Sequence, residues 1–363
     1  MMNIRVLIVD DSSFMCRRLQ QIISGFPGLE VVGMAHDADE ARKMLLALKP
    51  DVLTLDVHMP GMDGLEFLER LMRRRPMPVV MVSSYTQEGT ETTLKALELG
   101  AVDFIDKPRA DSPRSLEAYG AELAEKIRGA KSAHLRVRPR PASGLLPSAK
   151  PATKGSAIAN NWLPNSYSTK NTSGKVIFLG ASTGGTEAIK KVLLGMPANC
   201  PPILIVQHLP ETFSAVFAAN LDQACQPKVS EAQGGEIVEA GNVYITRGNH
   251  HMQVRKSGDR LVTELVQTPP VNGHRPSVDV LFESAATVMG KQAVGVILTG
   301  MGKDGAQGLL SMKKAGARTF GQDEASSVVY GMPREAHLLG AVDEVVDIGQ
   351  MASRVLSLFG KPL

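Results

Sequence analysis

The chain reads as an α/β protein built from two doubly wound parallel-sheet domains joined by a flexible linker. Three observations predict this. Short, unbroken apolar runs, as in strands buried on both faces, alternate with stretches whose apolar residues recur at helical spacing. The alternation occurs twice, once within residues 1–124 and again within 172–363. Between the two, residues 125–171 hold no sustained apolar period, and no acidic residue occurs between Glu125 and Glu187. A stretch so rich in Arg, Lys, Pro, Ala and Ser buries too little surface to fold alone, so it is expected to be a basic, mobile spacer.

Composition narrows the class. With 363 residues, 43% hydrophobic and 21% charged, each half can bury its own core. The net charge of +3 is modest and much of the basic excess falls in the linker, so no nucleic-acid partner is expected. Three cysteines without a C-x-x-C pair argue against a disulfide framework or zinc site. The N-terminus meets two aspartates after a short apolar run, and no stretch approaches the length of a membrane span. The expectation is a cytoplasmic protein with no membrane insertion.

In the first domain, strands are predicted over 6–9, 31–34, 52–55, 79–82 and 102–105, with a helix carrying Met15, Leu19, Ile22 and Ile23 after the first. Crossover connections make such strands parallel, so their C-terminal ends share the sheet edge where open α/β folds place ligands. Asp10, Asp11, Asp56, Ser83 and Lys107 converge there. Three carboxylates brought together repel one another, and a hard divalent ion such as Mg2+ resolves that repulsion while leaving positions for phosphate. Asp56, ending the middle strand, is the expected phosphoryl acceptor, with the ion and Lys107 neutralising charge on the transferred group. Each aspartate taken singly could merely cap a helix; five matching strand ends favour a site.

These residues, as Val9-Asp10-Asp11-Ser12, Leu55 to Gly64 (LDVHMPGMDG), Ser83 and Lys107-Pro108, resemble the receiver domain of bacterial response regulators. The resemblance implies a flavodoxin-like fold and phosphorylation of Asp56 by a partner histidine kinase. It implies Mg2+ held by Asp11, Asp56 and the backbone carbonyl of His58, with Asp10 in the same acidic set. Lys107 and Ser83 would support the phosphoryl group, and Phe104 would be the aromatic switch rather than a plain core residue.

The second domain opens with an apolar strand at 176–179 and a helix carrying Ile189, Val192, Leu193 and Met196. Between them, Gly180-Ala181-Ser182-Thr183-Gly184 matches G-x-S-x-G, a turn that lifts one hydroxyl above a strand end and makes Ser182 a candidate nucleophile. The same small residues would suit an ordinary turn or a phosphate-binding helix N-terminus. A second strand, 203–206, delivers Gln207 and His208, and the histidine becomes the candidate general base. A third, 293–298, ends in TGMGKDGAQG and offers Asp304 to the distal nitrogen of His208. Asp323 is the rival, since 318–322 also reads as a strand. The order Ser, His, Asp differs from that of α/β-hydrolases, so that fold is not expected. Gly300, Gly302 and Gly305 also fit G-x-G-x-x-G, but Asp304 would then stand where a pyrophosphate must sit. The same glycines allow a backbone N–H, that of Met301, to approach an oxyanion. Ser277 is the expected N-cap of a helix carrying Val278, Leu281, Phe282 and Ala285, with His274 and Arg275 before it as candidates for orienting substrate.

GASTGGTEA around Ser182, QHLP around His208, PPVNGHRPSVDVLFESAA, ILTGMGKDGAQG and GQDEASSVVYGMPREA together resemble the catalytic domain of the chemotaxis methylesterase (CheB) family. The resemblance implies a Rossmann-like second domain, a Ser182–His208–Asp304 triad with no cofactor of its own, and chemoreceptors as partners and substrates. It implies hydrolysis of glutamate methyl esters and deamidation of glutamines. A phosphorylation-regulated adaptor that only binds a partner is the alternative.

Overall fold

The structure is a computed structural model and describes residues 3–83, 87–108, 115–135 and 174–359. In the first domain β1 (Ile4–Val9), α1 (Ser13–Ser24), β2 (Leu29–Ala35), α2 (Ala38–Leu48), β3 (Val52–Asp56), α3 (Gly64–Arg74), β4 (Val79–Ser83), α4 (Gln87–Leu99), β5 (Asp103–Asp106) and α5 (Leu116–Lys131) alternate. The strands pair in parallel in the order β2-β1-β3-β4-β5. Every residue of β3 and β4 is buried, which is why these segments read as continuous apolar runs. Ser12 starts α1 by accepting from the Met15 amide, and Asp63 starts α3 by accepting from Glu66. The boundary expected at 124 falls inside α5, because Ile127 and Ala130 continue its buried face for another turn. Residues 136–173, most of the expected linker, lie outside the described residues.

The second domain runs β6 (Val176–Ala181), α6 (Gly185–Leu194), β7 (Ile203–Gln207), α7 (Glu211–Ala224), β8 (Lys228–Glu231), β9 (Asn242–Ile245), β10 (His251–Ser257), β11 (Arg260–Val266), α8 (Val278–Met289), β12 (Ala293–Ile297), α9 (Ala306–Lys314), β13 (Arg318–Gln322), α10 (Met332–Leu338), β14 (Glu344–Val346) and α11 (Ile348–Leu356). Seven strands pair in parallel in the order β14-β13-β12-β6-β7-β9-β8. The doubly wound architecture expected for both halves is therefore present. The β10-β11 hairpin stands apart as a separate antiparallel pair that buries Met252 and Val254 against the α8 side of the sheet.

The two sheets share an apolar core. From the first domain Leu94, Leu97 and Phe104 meet Leu209, Phe213 and Phe217 of the second within one continuous buried cluster. Among the described residues, no helix is long and apolar enough to cross a membrane.

Candidate active site

In the first domain the strand register sets the site. Val9 pairs with Leu55, so Asp10 leaves the sheet beside Asp56, and Ser83 pairs with Asp106, so Lys107 follows alongside. Lys107 Nζ lies 2.8 Å from both Asp10 Oδ2 and Asp56 Oδ2. Burial is the largest influence on Asp56 and pushes its carboxyl above the usual range; Lys107 opposes this and Asp10 adds to it. Burial likewise works against the charge of Lys107, but its hydrogen bonds to Asp10 and Asp56 outweigh that and raise its pKa. Oxygens of Asp10, Asp11 and Asp56 lie within 4.8 Å of one another, an all-oxygen donor set that fits a hard divalent cation. The Ser83 hydroxyl lies 3.4 Å from the Gly89 carbonyl, and His58 is exposed. Phe104 is buried, but not in its own domain's core alone: its ring stacks on Phe213 of α7, centroids 4.4 Å apart.

In the second domain β6 lies between β12 and β7, so three neighbouring strands end at one rim. Ala181 pairs with Gln207, which makes Ser182 and His208 leave the sheet side by side. The Ser182 amide donates to Thr299 O at 3.0 Å, and Gln207 Nε2 donates to Ser182 O at 2.9 Å, fixing the turn from both strands. Gly184, at φ +73°, reverses the chain into α6 in a conformation costly for residues with a Cβ. His208 Nδ1 then lies 3.1 Å from Ser182 Oγ, and His208 Nε2 lies 2.9 Å from Asp304 Oδ2. An ionised carboxylate only accepts, so the proton belongs on Nε2 and the Nδ1 lone pair faces the serine hydroxyl.

Asp304 is almost wholly buried. Burial alone would raise its pKa; the hydrogen bond and charge of His208, then Asn272 and the Val278 amide, hold it well below the usual carboxylate range. The Val278 amide, at 2.6 Å, is the first of α8, so the carboxylate also sits at the positive end of that helix. Ser277 does occupy the N-cap position, yet its hydroxyl makes no cap bond: it donates to Asp304 Oδ1 at 2.7 Å, because the buried anion takes the helix end instead. Asp323, the rival, accepts from the Ser326 amide at 3.1 Å and from its hydroxyl. The sequence offered no reason to choose Asn272, whose Nδ2 reaches Asp304 Oδ1 at 2.8 Å; the Asn-Gly pair at 272–273 marks a tight turn, but not its neighbour. The loop carrying Met301 lies against Ser182, since a Cβ on Gly300 would come 2.8 Å from Ser182 Cβ.

Residues 6–117 match the response regulator receiver domain family and residues 177–355 the CheB methylesterase family. Over 352 residues, 97% of each chain, this protein is 62% identical to the protein-glutamate methylesterase/protein-glutamine glutaminase 1 of Dechloromonas aromatica (strain RCB). It belongs to the CheB methylesterase family. A Nitrosomonas europaea relative named protein-glutamate methylesterase/protein-glutamine glutaminase is 54% identical over 98% of this chain and 97% of its own. The CheB methylesterase catalytic domain of Thermotoga maritima superposes with a TM-score of 0.50 at 34% identity, covering 51% of this chain and 98% of that one.

The contact between the two domains reaches the Ser182 turn. Asp103, the first residue of β5, accepts from the hydroxyl of Thr183, the residue after Ser182, and from Lys126 Nζ at 2.8 Å. Leu97, Asp103, Phe104 and Lys126 line one wall of a narrow cleft whose other wall includes Ser182 and His208. Glu98 and Lys190 pair across the same boundary at 2.5 Å.

Proposed function

We propose that the protein is a phosphorylation-activated hydrolase that demethylates glutamate methyl esters, and deamidates glutamines, on the cytoplasmic helices of chemoreceptors. The observation that carries this reading is the relay from Ser182 through His208 to a buried, ionised Asp304. An adaptor that only binds needs no such relay. Ser182 Oγ attacks the side-chain carbonyl carbon as its proton passes to His208 Nδ1, and Asp304 stabilises the imidazolium that forms. The backbone N–H of Met301 would meet the oxyanion. As the tetrahedral species collapses, His208 returns the proton to the leaving group, releasing methanol from an ester or ammonia from an amide. Water, deprotonated by the same imidazole, then resolves the acyl-enzyme to glutamate.

Asp56 would accept a phosphoryl group from a chemotaxis histidine kinase, with Lys107 and Ser83 contacting its oxygens. Asp10, Asp11, Asp56 and the His58 carbonyl would hold Mg2+, which when bound neutralises charge on the transferred group. Until then the receiver caps the esterase cleft, with Phe104 as the switch that its stacking on Phe213 ties to the second domain. This assignment divides the chain into a receiver, a basic linker and a methylesterase domain, and places it in the cytoplasm.

Methanol release from methylated receptor membranes, with and without a small phosphodonor, tests both parts. Ser182→Ala is expected to abolish release with the fold intact; retained release refutes the hydrolase. Truncation to about residue 172 onward is expected to exceed the unphosphorylated full chain; activity no higher refutes the cap.

A further inference from the structure

The relay has a second layer that the triad alone does not require. His274 lies flat against His208, ring centroids 3.9 Å apart and planes 15° from parallel. Two residues earlier Asn272 Nδ2 donates to Asp304 Oδ1 at 2.8 Å and to Asp279 Oδ2 at 2.6 Å. Both come from one tight turn. Val271 and His274 exchange backbone hydrogen bonds of 3.0 and 2.9 Å, and Asn272 and Gly273 between them have φ of +53° and +81°. This is the two-residue reversal for which an Asn-Gly pair is best suited, because both central positions require positive φ.

We propose that the turn 271–274 clamps the relay, with His274 a positioning residue for the imidazole of His208 and Asn272 one for the carboxylate of Asp304. The inference rests on the hydrolase reading above. Its physical content is that His208 is bonded only at the edges of its ring. Hydrogen bonds at Nδ1 and Nε2 fix the ring against rotation in its plane, but the Ser182 bond is lost as Oγ adds to the substrate carbonyl. From that addition until water resolves the acyl-enzyme, Asp304 and a packed face keep the ring from tipping. His274 supplies that face, so the imidazole can still shift within its plane from the serine oxygen to the leaving group.

The partner ring must also stay uncharged while His208 carries its proton. Burial, followed by the charge of His208, lowers the pKa of His274 to about 3, so it presents a neutral π-face to the imidazolium. Asn272 completes the arrangement by donating to the Asp304 oxygen that does not face His208, which leaves Oδ2 for the imidazole and for the Val278 amide.

The experiment uses the full chain with phosphodonor and methylated receptor membranes, measuring kcat and KM for His274→Ala, His274→Phe, Asn272→Ala and Ser182→Ala, with melting temperatures alongside. His274→Ala is expected to lower kcat roughly three- to tenfold, the range of one aromatic pair, with KM within about twofold. His274→Phe keeps the stacked face and is expected to restore kcat to within about twofold of the native enzyme. Asn272→Ala should lower kcat less than His274→Ala does. A wild-type kcat for His274→Ala overturns the clamp, as does His274→Phe falling as far as His274→Ala while melting like the native protein. Should His274→Ala fail to fold, the kcat of His274→Phe and Asn272→Ala decides: a low value for the first or a native value for the second overturns the proposal. Failure of the hydrolase reading itself is seen separately, as methanol release by Ser182→Ala.

Discussion

Asp56 and Asp304 occupy equivalent places, each at the C-terminal rim of a parallel sheet and each about 1% exposed, yet their surroundings push them in opposite directions. Asp56 has burial and the neighbouring Asp10 against its charge; in favour, among the described residues, stand Lys107, shared with Asp10, and the His58 backbone N–H. Asp304 faces the same burial but receives His208, Asn272, Ser277 and the first amide of α8. The contrast separates two uses of one residue type. A carboxylate whose burial outweighs its donors is suited to gain a cation and a phosphoryl group; one whose donors outweigh its burial is suited to remain an anion that orients an imidazole.

The strongest test of that contrast is exchange of each carboxylate for its amide. Asp304→Asn is expected to cut methanol release by about 10³–10⁴-fold, since an amide facing Nε2 favours the wrong tautomer. Asp56→Asn is expected to remove the response to a phosphodonor, and chelating Mg2+ before adding phosphodonor should do the same in the native chain. If Asp304→Asn retains native turnover, or Asp56→Asn still responds, the two sites are not divided as described.

A smaller effect belongs to the boundary between the domains. Asp103→Ala removes the acceptor that holds the Thr183 hydroxyl and Lys126, a charge-assisted bond worth about 1.5–3 kcal/mol. Unphosphorylated activity should rise roughly tenfold or more, provided that the receiver holds the cleft shut. No rise, in an assay where the phosphorylated native enzyme is fully active, would mean that this bond is not what closes it.

The smallest effect is on acid stability. His274 titrates near 6.5 when unfolded and about 3 when folded, so between those values the unfolded chain binds the extra proton. Stability is therefore full above about pH 6.5 and falls as pH drops toward 3. Asp304, lowered on folding, adds its own loss only once pH falls below its unfolded value of 3.8. Melting temperature should fall less between pH 7 and 4.5 in His274→Phe than in the native protein. An identical fall in both would show that His274 does not carry the effect.

Much of this was open to reading before any coordinates. Strands such as β3, β4, β6 and β7 are buried along their whole length, so they read as unbroken apolar runs, and the polar residues that end them are the candidates the two sites are built from. The glycine-flanked turn makes Ser182 a candidate, while the same spacing also suits an ordinary strand-to-helix turn. Asp304 is the expected partner of His208 with Asp323 as its rival, because each follows a strand in a polar loop. Strand order separates them: β12 pairs directly with β6, whereas β13 is one strand further away, and Asp304 reaches the ring that Asp323 does not. Ser277 misled in the opposite sense, since a local capping rule cannot foresee a buried anion arriving from residue 304.

The sequence by itself determined two α/β units, the polar residues that end their strands, and the rims those residues share, because periodicity and strand-end chemistry are local properties of the chain. Only the tertiary structure decided that Phe104 stacks on Phe213, that Asp103 holds Thr183, and that His274 covers His208. Those contacts join residues some 65 to 110 positions apart through the packing of one element on another, and no spacing along a single chain encodes which faces will meet.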